Sequence, residues 1–220
     1  MAVGRRQVEL LEKNKPRQDR AKKTYEAILA AAAQLLMEVG VERISTNLVA
    51  EKAGITVPAL YRYFPNKYAV LNALGAVLMD KQNVVFDEWL EKRLAEGGGP
   101  QSLMDNIYEL LWKTYEVTRE QAGGIEVVQA LRAVAPLQDV LLASHRVVAD
   151  QLAQLVAEML GRPVGELLSM QARLTIDTGY SIVEMALEDE SLAPEPLIRE
   201  GAHMLQRYWH GALLMNEGSA

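Results

Sequence analysis

Apolar residues recur along this chain at steps of three and four, the spacing that places side chains on one face of an α-helix. The first clear run is Tyr25, Ile28, Leu29, Ala32, Leu35, Leu36 and Val39. Pro16 suits the first turn of that helix, where a missing N–H costs nothing, and Gly40 suits its end. Ser45 or Thr46 can cap a second helix with the body Leu48-Val49-Ala50-Glu51-Lys52-Ala53, which Gly54 breaks after barely two turns. Thr56 caps a third, with Pro58 in its first turn. It runs through Leu60-Tyr61-Arg62-Tyr63 until Pro65 disfavours helix in the residue before it. Asn66 caps a long fourth helix from Lys67, whose apolar positions Val70, Leu71, Leu74, Leu78, Val85 and Trp89 fade near Ala95.

Gly97-Gly98-Gly99-Pro100 is the strongest break in the chain. Beyond it the periodicity predicts helices over about 102–119, 125–135, 138–160 and 164–188, and a last one after Pro194 and Pro196 to about Met215. No alternating strand pattern of convincing length, internal repeat or low-complexity segment is evident. The expectation is an all-α protein of about nine helices. A flexible polar arm over 1–15 precedes a three-helix head with a helix-turn-helix over 16–66. A larger helical body follows over 67–220.

Composition narrows the picture. Half of the 220 residues are hydrophobic, enough to bury a real core, and cysteine is absent. A disulfide framework and thiolate metal ligation are thereby excluded, and a reducing cytoplasm fits. No apolar run approaches the ~18–20 residues of a membrane span, and the start Met1-Ala2-Val3-Gly4-Arg5-Arg6 lacks the apolar core of a secretory signal. A cytoplasmic protein with no membrane partner is expected. Net charge is −6, but it is unevenly placed: +5 over residues 1–67 and −11 over the remainder. A basic head on an acidic body is expected where one end meets phosphate, although a basic tail without a partner has the same charge.

Enzymatic motifs are missing. His145, His203 and His210 have no acidic neighbour at a ligand spacing such as His-Glu-x-x-His. There is no nucleophile elbow and no phosphate loop, and Gly97-Gly98-Gly99 follows no strand. Neither an enzyme, a metal site nor a cofactor is expected.

Two short helices joined through Ala53-Gly54-Ile55 make the helix-turn-helix arrangement. Val49, Ala50, Ala53, Ile55 and Leu60 can lock the pair against the first helix, leaving one face of the second short helix free for a DNA major groove. Residues 40–71 resemble the DNA-binding head of the TetR family of bacterial regulators. The resemblance is carried by Gly40, Ser45-Thr46, Val49-Ala50, Ala53-Gly54-Ile55, Leu60-Tyr61, Tyr63-Phe64, Asn66-Lys67 and Leu71. It implies a sequence-specific regulator, by default a repressor, that binds double-stranded DNA at a palindromic operator as a homodimer and is released by a small-molecule effector.

The resemblance also implies roles. Thr46 and Asn47 would meet the backbone or groove edge, with Thr56, Val57, Pro58 and Ala59 at the tip of the recognition helix. Tyr61 and Tyr63 would offer hydroxyls, and Lys67 its ammonium, to phosphates. Many members have glycine where this chain has Pro58, which leaves base preference open. Asn47 and Arg62 are the hydrogen-bonding readers expected here. Each has an alternative: the tyrosines as core aromatics, though two residues apart they cannot both face inward, Lys67 as a solvated lysine, and Arg17, Arg20, Lys22 and Lys23 as an ordinary polar face.

In the body, Met104, Tyr108, Trp112 and Tyr115 fall on one predicted face and suit either core packing or the wall of a site for an apolar or aromatic effector. Asp177, Tyr180 and Glu184 follow at three and four on a mostly apolar helix. They would orient a ligand, a cation if the lining is acidic, or be a solvated face. The last helix, with Leu197, Gly201, Met204, Leu205, Tyr208 and Ala212, could join the one before it in a four-helix dimer contact or pack within the chain. The competing reading of the whole is a helical ligand-binding or adaptor protein without specific DNA recognition.

Overall fold

The computed structural model describes residues 9–13 and 18–217, and every regular element among them is an α-helix. The expectations placed on Pro16, Arg17 and most of the 1–15 arm lie outside the described residues. Among the described residues ten helices follow one another: α1 Asp19–Arg43, α2 Thr46–Lys52, α3 Val57–Tyr61, α4 Lys67–Glu96, α5 Pro100–Asp105, α6 Ile107–Glu120, α7 Gly124–Ala133, α8 Ala135–Met159, α9 Glu166–Glu188 and α10 Pro194–Glu217.

The tenth helix comes from a division the periodicity did not reveal. The helix expected over 102–119 is two, α5 and α6, separated at Asn106 (φ −105°, ψ 9°). Three side chains hold the break open. Trp89 Nε1 donates to Asn106 O (3.2 Å), Gln206 Nε2 donates to Asp105 O (3.1 Å), and Asn106 Nδ2 donates back to Ser102 O (2.8 Å). The carbonyls at the break thus find partners outside a helical ladder.

The chain divides into two compact units, one up to Met79 together with Glu120–Leu142, the other Asp80–Arg119 with the described residues from Ala143. In the first unit α1 is packed by α2 and α7, and its Ile28, Ala32, Leu35 and Leu36 share a core with Val49, Leu60, Phe64, Val70 and Leu131. By length and mean hydropathy α1 alone among the described residues could cross a membrane, contrary to the expectation that no stretch approaches that. Five alanines between Ala27 and Ala33 raise its average. Its apolar face is committed to this core.

Residues 9–13 lie against the same unit. Lys13 N donates to Tyr63 O (2.8 Å), Asn66 Nδ2 donates to Glu9 O (2.9 Å), and Asn72 Nδ2 donates to Leu10 O (3.2 Å).

The second unit has its own core, with Phe86, Trp89, Met104, Leu152, Val156, Ile198 and Trp209. Both tryptophans are fully buried, and each indole N–H has an acceptor, Asn106 O for Trp89 and Thr175 Oγ1 (2.7 Å) for Trp209, as buried tryptophans require. Helices α9 and α10 meet at Gly201. A Cβ placed there would lie 2.6–2.9 Å from three atoms of Ile182. The close approach that Gly201 permits is therefore within one chain, and Leu205 and Ala212 are buried with it.

Gly201→Ala should lower unfolding stability by about 1–3 kcal/mol through overpacking against Ile182. Gly211→Ala, where no atom of the described residues lies within 4 Å, should stabilise the same helix by up to about 1 kcal/mol. Urea unfolding of the two variants beside the parent checks both.

Candidate functional site

The head is built around a helix of five residues. Ser45 Oγ accepts from Leu48 N to start α2, and Thr56 Oγ1 accepts from Ala59 N to start α3, each at 3.3 Å. Asn66 Oδ1 accepts from Ala69 N (3.0 Å) to start α4. Between α2 and α3 the chain turns at Gly54, whose φ of 67° is left-handed, and Ile55 N returns to Ala50 O (3.0 Å). Gly40 breaks α1 with φ 74° and ψ 171°, so Val41–Arg43 form a separate turn. Leu60 and Phe64 are fully buried, and Phe64 stacks on Tyr25 with ring centres 5.3 Å apart.

This packing decides which residues face outward. Asn47, Thr56, Pro58, Tyr61 and Arg62 are exposed, and Thr46 and Ala59 are partly so. The Tyr61 hydroxyl lies 3.1 Å from Thr46 Oγ1, linking the end of α3 to the start of α2. Val57 is half-buried against the unit's core, so only part of its side chain is presented. Tyr63 is also half-buried, edge-on to Tyr25 at 6.4 Å between ring centres. The two tyrosines thus diverge, one outward and one inward. Lys67 points elsewhere. Its ammonium lies 3.1 Å from Ile44 O and 3.4 Å from both Val41 O and Glu42 O.

The second unit holds a partly open cavity of about 40 Å³. Phe86 and Trp89 of α4, Met104 of α5, Leu111 of α6, Leu152 of α8 and Ile176 of α9 contribute to an apolar lining. Gln82, Thr114, Thr175 and Tyr180 are its polar members. Gln82 Nε2 donates to Thr118 Oγ1 (2.9 Å), and the Thr114 and Thr175 hydroxyls donate to carbonyls one turn back on their own helices.

Of the residues expected around a ligand, Met104 and Tyr180 line this cavity, whereas Tyr108, Trp112, Tyr115, Asp177 and Glu184 do not. The break at Asn106 explains the aromatic part. It resets the helical phase, so Ile107, Leu110, Leu111 and Thr114 turn to the cavity. Tyr108, Trp112 and Tyr115 stack on one another on the adjoining face, at 6.2 and 5.3 Å. Arg199 lies over Tyr108 (4.7 Å) and Arg119 over Tyr115 (5.2 Å).

Asp177 instead binds His145 Nδ1 (2.8 Å) and Arg173 Nε (2.6 Å). The buried His145 ring stacks flat on Tyr180 at 4.2 Å, with 6° between planes. Burial, then the nearby Glu184 carboxylate, pushes the Tyr180 phenol up to about 12 from the ordinary 10.0. In the first unit, burial and a hydrogen bond with Glu12 raise Tyr25 in the same direction.

Sequence reasoning missed Gln82, Phe86, His145 and Thr175. Gln82 interrupts the apolar series Leu78, Val85, Trp89, and His145 sits in the series Leu141, Val148, Leu152. A polar residue inside an apolar stripe was the available signal.

Residues 28–74 match the family model described as bacterial regulatory proteins, tetR family. Over that stretch, its head, the chain is similar to the TetR family. A tetracycline repressor protein of class C from Escherichia coli is 43% identical over 54 residues, covering 24% of this chain and 25% of that protein. The match therefore spans about a quarter of the curated relatives' length. A TetR-family regulator from Streptomyces coelicolor aligns over 85% of this chain and 98% of its own, at 26% identity and a TM-score of 0.58. SmeT of Stenotrophomonas maltophilia, solved in complex with triclosan, aligns over 84% of this chain and 90% of its own at 18% identity and a TM-score of 0.59. At that identity the likeness concerns the fold. The likeness in fold thus extends through the body, while the family model matches the head alone.

The raised phenol has a stability consequence. The folded state holds the Tyr180 proton more tightly than the unfolded one, so this contribution is complete below pH 10 and lost as pH rises towards 12. Denaturation midpoints should fall over that window, and Tyr180→Phe should flatten part of the fall.

Proposed function

We propose that this chain is a sequence-specific, DNA-binding transcriptional repressor that acts in the cytoplasm as a homodimer and leaves a palindromic operator when an uncharged, largely apolar small molecule enters its body. The observation that carries the reading is the head: α3 is locked from beneath by Leu60 and Phe64 while Tyr61 and Arg62 face outward. An outward face on the second helix of a helix-turn-helix is what enters a major groove. Arg62 and Asn47 are the base readers in this reading. Thr46, Thr56 and Tyr61 offer hydroxyls to phosphate, and Pro58 and Ala59 give apolar contact at the tip.

A second copy is supported by apolar side chains left exposed on α9 and α10. Leu167, Met170, Leu174 and Met185 project from α9, and Met204 and Tyr208 from α10. A two-fold arrangement would bury both sets and hold two heads over half-sites about 34–36 Å apart.

The cavity supports the effector class. Among the described residues its lining has no carboxylate, lysine or arginine. Asp177, which would have favoured a cation, is engaged by Arg173 and His145 instead. The bound triclosan of SmeT, an uncharged aromatic, is of the same chemical class. At about 40 Å³ the space is small for a drug-sized molecule, and in this reading the lining helices spread to admit the effector.

Selection of genomic DNA fragments on the purified protein tests the reading. One enriched palindrome is expected, with affinity falling steeply with salt and about tenfold weaker for Tyr61→Phe. No enriched sequence would leave the adaptor reading standing. Leu152→Phe, which fills the cavity from α8, should keep operator binding and lose release by apolar aromatics, read by fluorescence anisotropy of the labelled palindrome.

A further inference from the structure

The end of α1 leaves the helix at Gly40, and the following turn brings the carbonyls of Val41, Glu42 and Ile44 round a single ammonium, that of Lys67. Its three N–H groups match three acceptors at 3.1–3.4 Å, and the Tyr68 ring faces the same charge at 5.5 Å. Carbonyls past the end of a helix carry partial negative charge and lack helical donors, and a lysine satisfies both needs at once. The next residue after this turn is Ser45, whose side chain caps α2. Thr46, one residue further, meets Tyr61 of α3.

We infer that Lys67 is a positioning residue, not a phosphate contact: it ties the first turn of α4 to the α1–α2 turn and so fixes where α2, and through Thr46 and Tyr61 the end of α3, present themselves. The inference rests on the DNA-binding reading for its consequence, though not for the contact itself. It assigns Lys67 a role opposite to the one its place in the motif implies. A phosphate would have to take the ammonium from three carbonyls, leaving them to find water.

The two roles separate by salt dependence. A lysine that neutralises a phosphate releases a counterion, so its removal lowers the slope of log K against log salt by about 0.9 for each head. A lysine that only positions the head changes affinity without changing that slope. The test uses the full chain, Lys67→Met, which keeps the aliphatic stem, and the palindrome recovered by selection, titrated at several salt concentrations.

Affinity about tenfold lower, at the parent's slope, is expected. A slope reduced by about one unit per head, or an unchanged affinity, would overturn the assignment. Amide hydrogen exchange on the free protein keeps the question open to measurement if no DNA binds, and separates failure of the tie from failure of the regulator reading. Lys67→Met should raise exchange at Leu48 and Val49, whose amides bond to Ser45. Unchanged protection there would equally overturn the tie.

Discussion

Helix α3 spans five residues, too few to hold together in water, where the cost of nucleation is not recovered below roughly a dozen residues. Its geometry has to come from elsewhere. The Thr56 cap satisfies one amide, Pro58 pre-sets the first turn, and Leu60 with Phe64 anchors the last turn in the core beneath Tyr25. Full burial of Leu60 and Phe64 contributes on the order of 1.5–3 kcal/mol each, more than a helix of this length could contribute for itself. Because both anchors lie beneath, the outward side is left to Pro58, Tyr61 and Arg62. A reading surface placed this way is as rigid as the core below it.

The head was legible because its signals are local. Ser45, Thr56 and Asn66 each cap the helix whose start they mark, and Gly40 and Gly54 take the positive φ that a stop or turn needs. The body was legible as helices but not as a site, because its signals depend on phase. Met104, Tyr108 and Trp112 form one stripe only if the helix is unbroken, and Trp89 and Gln206, from distant positions, draw off the carbonyls at 105 and 106. Spacing cannot report a break imposed by residues 17 and 101 positions away. Lys67 escaped for a similar reason: its acceptors lie 23–26 residues back, in a turn whose shape is fixed by Gly40.

Asp177 and Tyr180, three residues apart on α9, show how finely the body divides its surfaces. Three residues advance a helix by 300°, so the two side chains flank a common line without coinciding. Tyr180 reaches the cavity while Asp177 is engaged by Arg173 and His145. His145 belongs to both sides, bonded to Asp177 and stacked on Tyr180. The Asp177 charge is thereby answered by Arg173 and His145, and the group at the cavity's edge is a phenol that stays neutral to about pH 12. Such a wall favours a neutral guest, since a charged one would leave water without a partner.

Helix α4 then carries the two requirements in one element. Its first residue, Lys67, is bonded to the turn before α2, and further along Gln82, Phe86 and Trp89 line the cavity. A ligand shifts an equilibrium only by its preference between two shapes. A cavity of about 40 Å³ is small for an apolar molecule of ordinary effector size, so in the proposed regulator a guest prefers a spread lining. The energy released by apolar contact is partly offset by the work of spreading the lining, and α4 is part of that lining. The same helix starts at Lys67, bonded to the turn before α2, and contributes Gln82, Phe86 and Trp89 to the lining. In the proposed regulator, effector and operator compete to the extent that a guest prefers a spread lining and the operator does not.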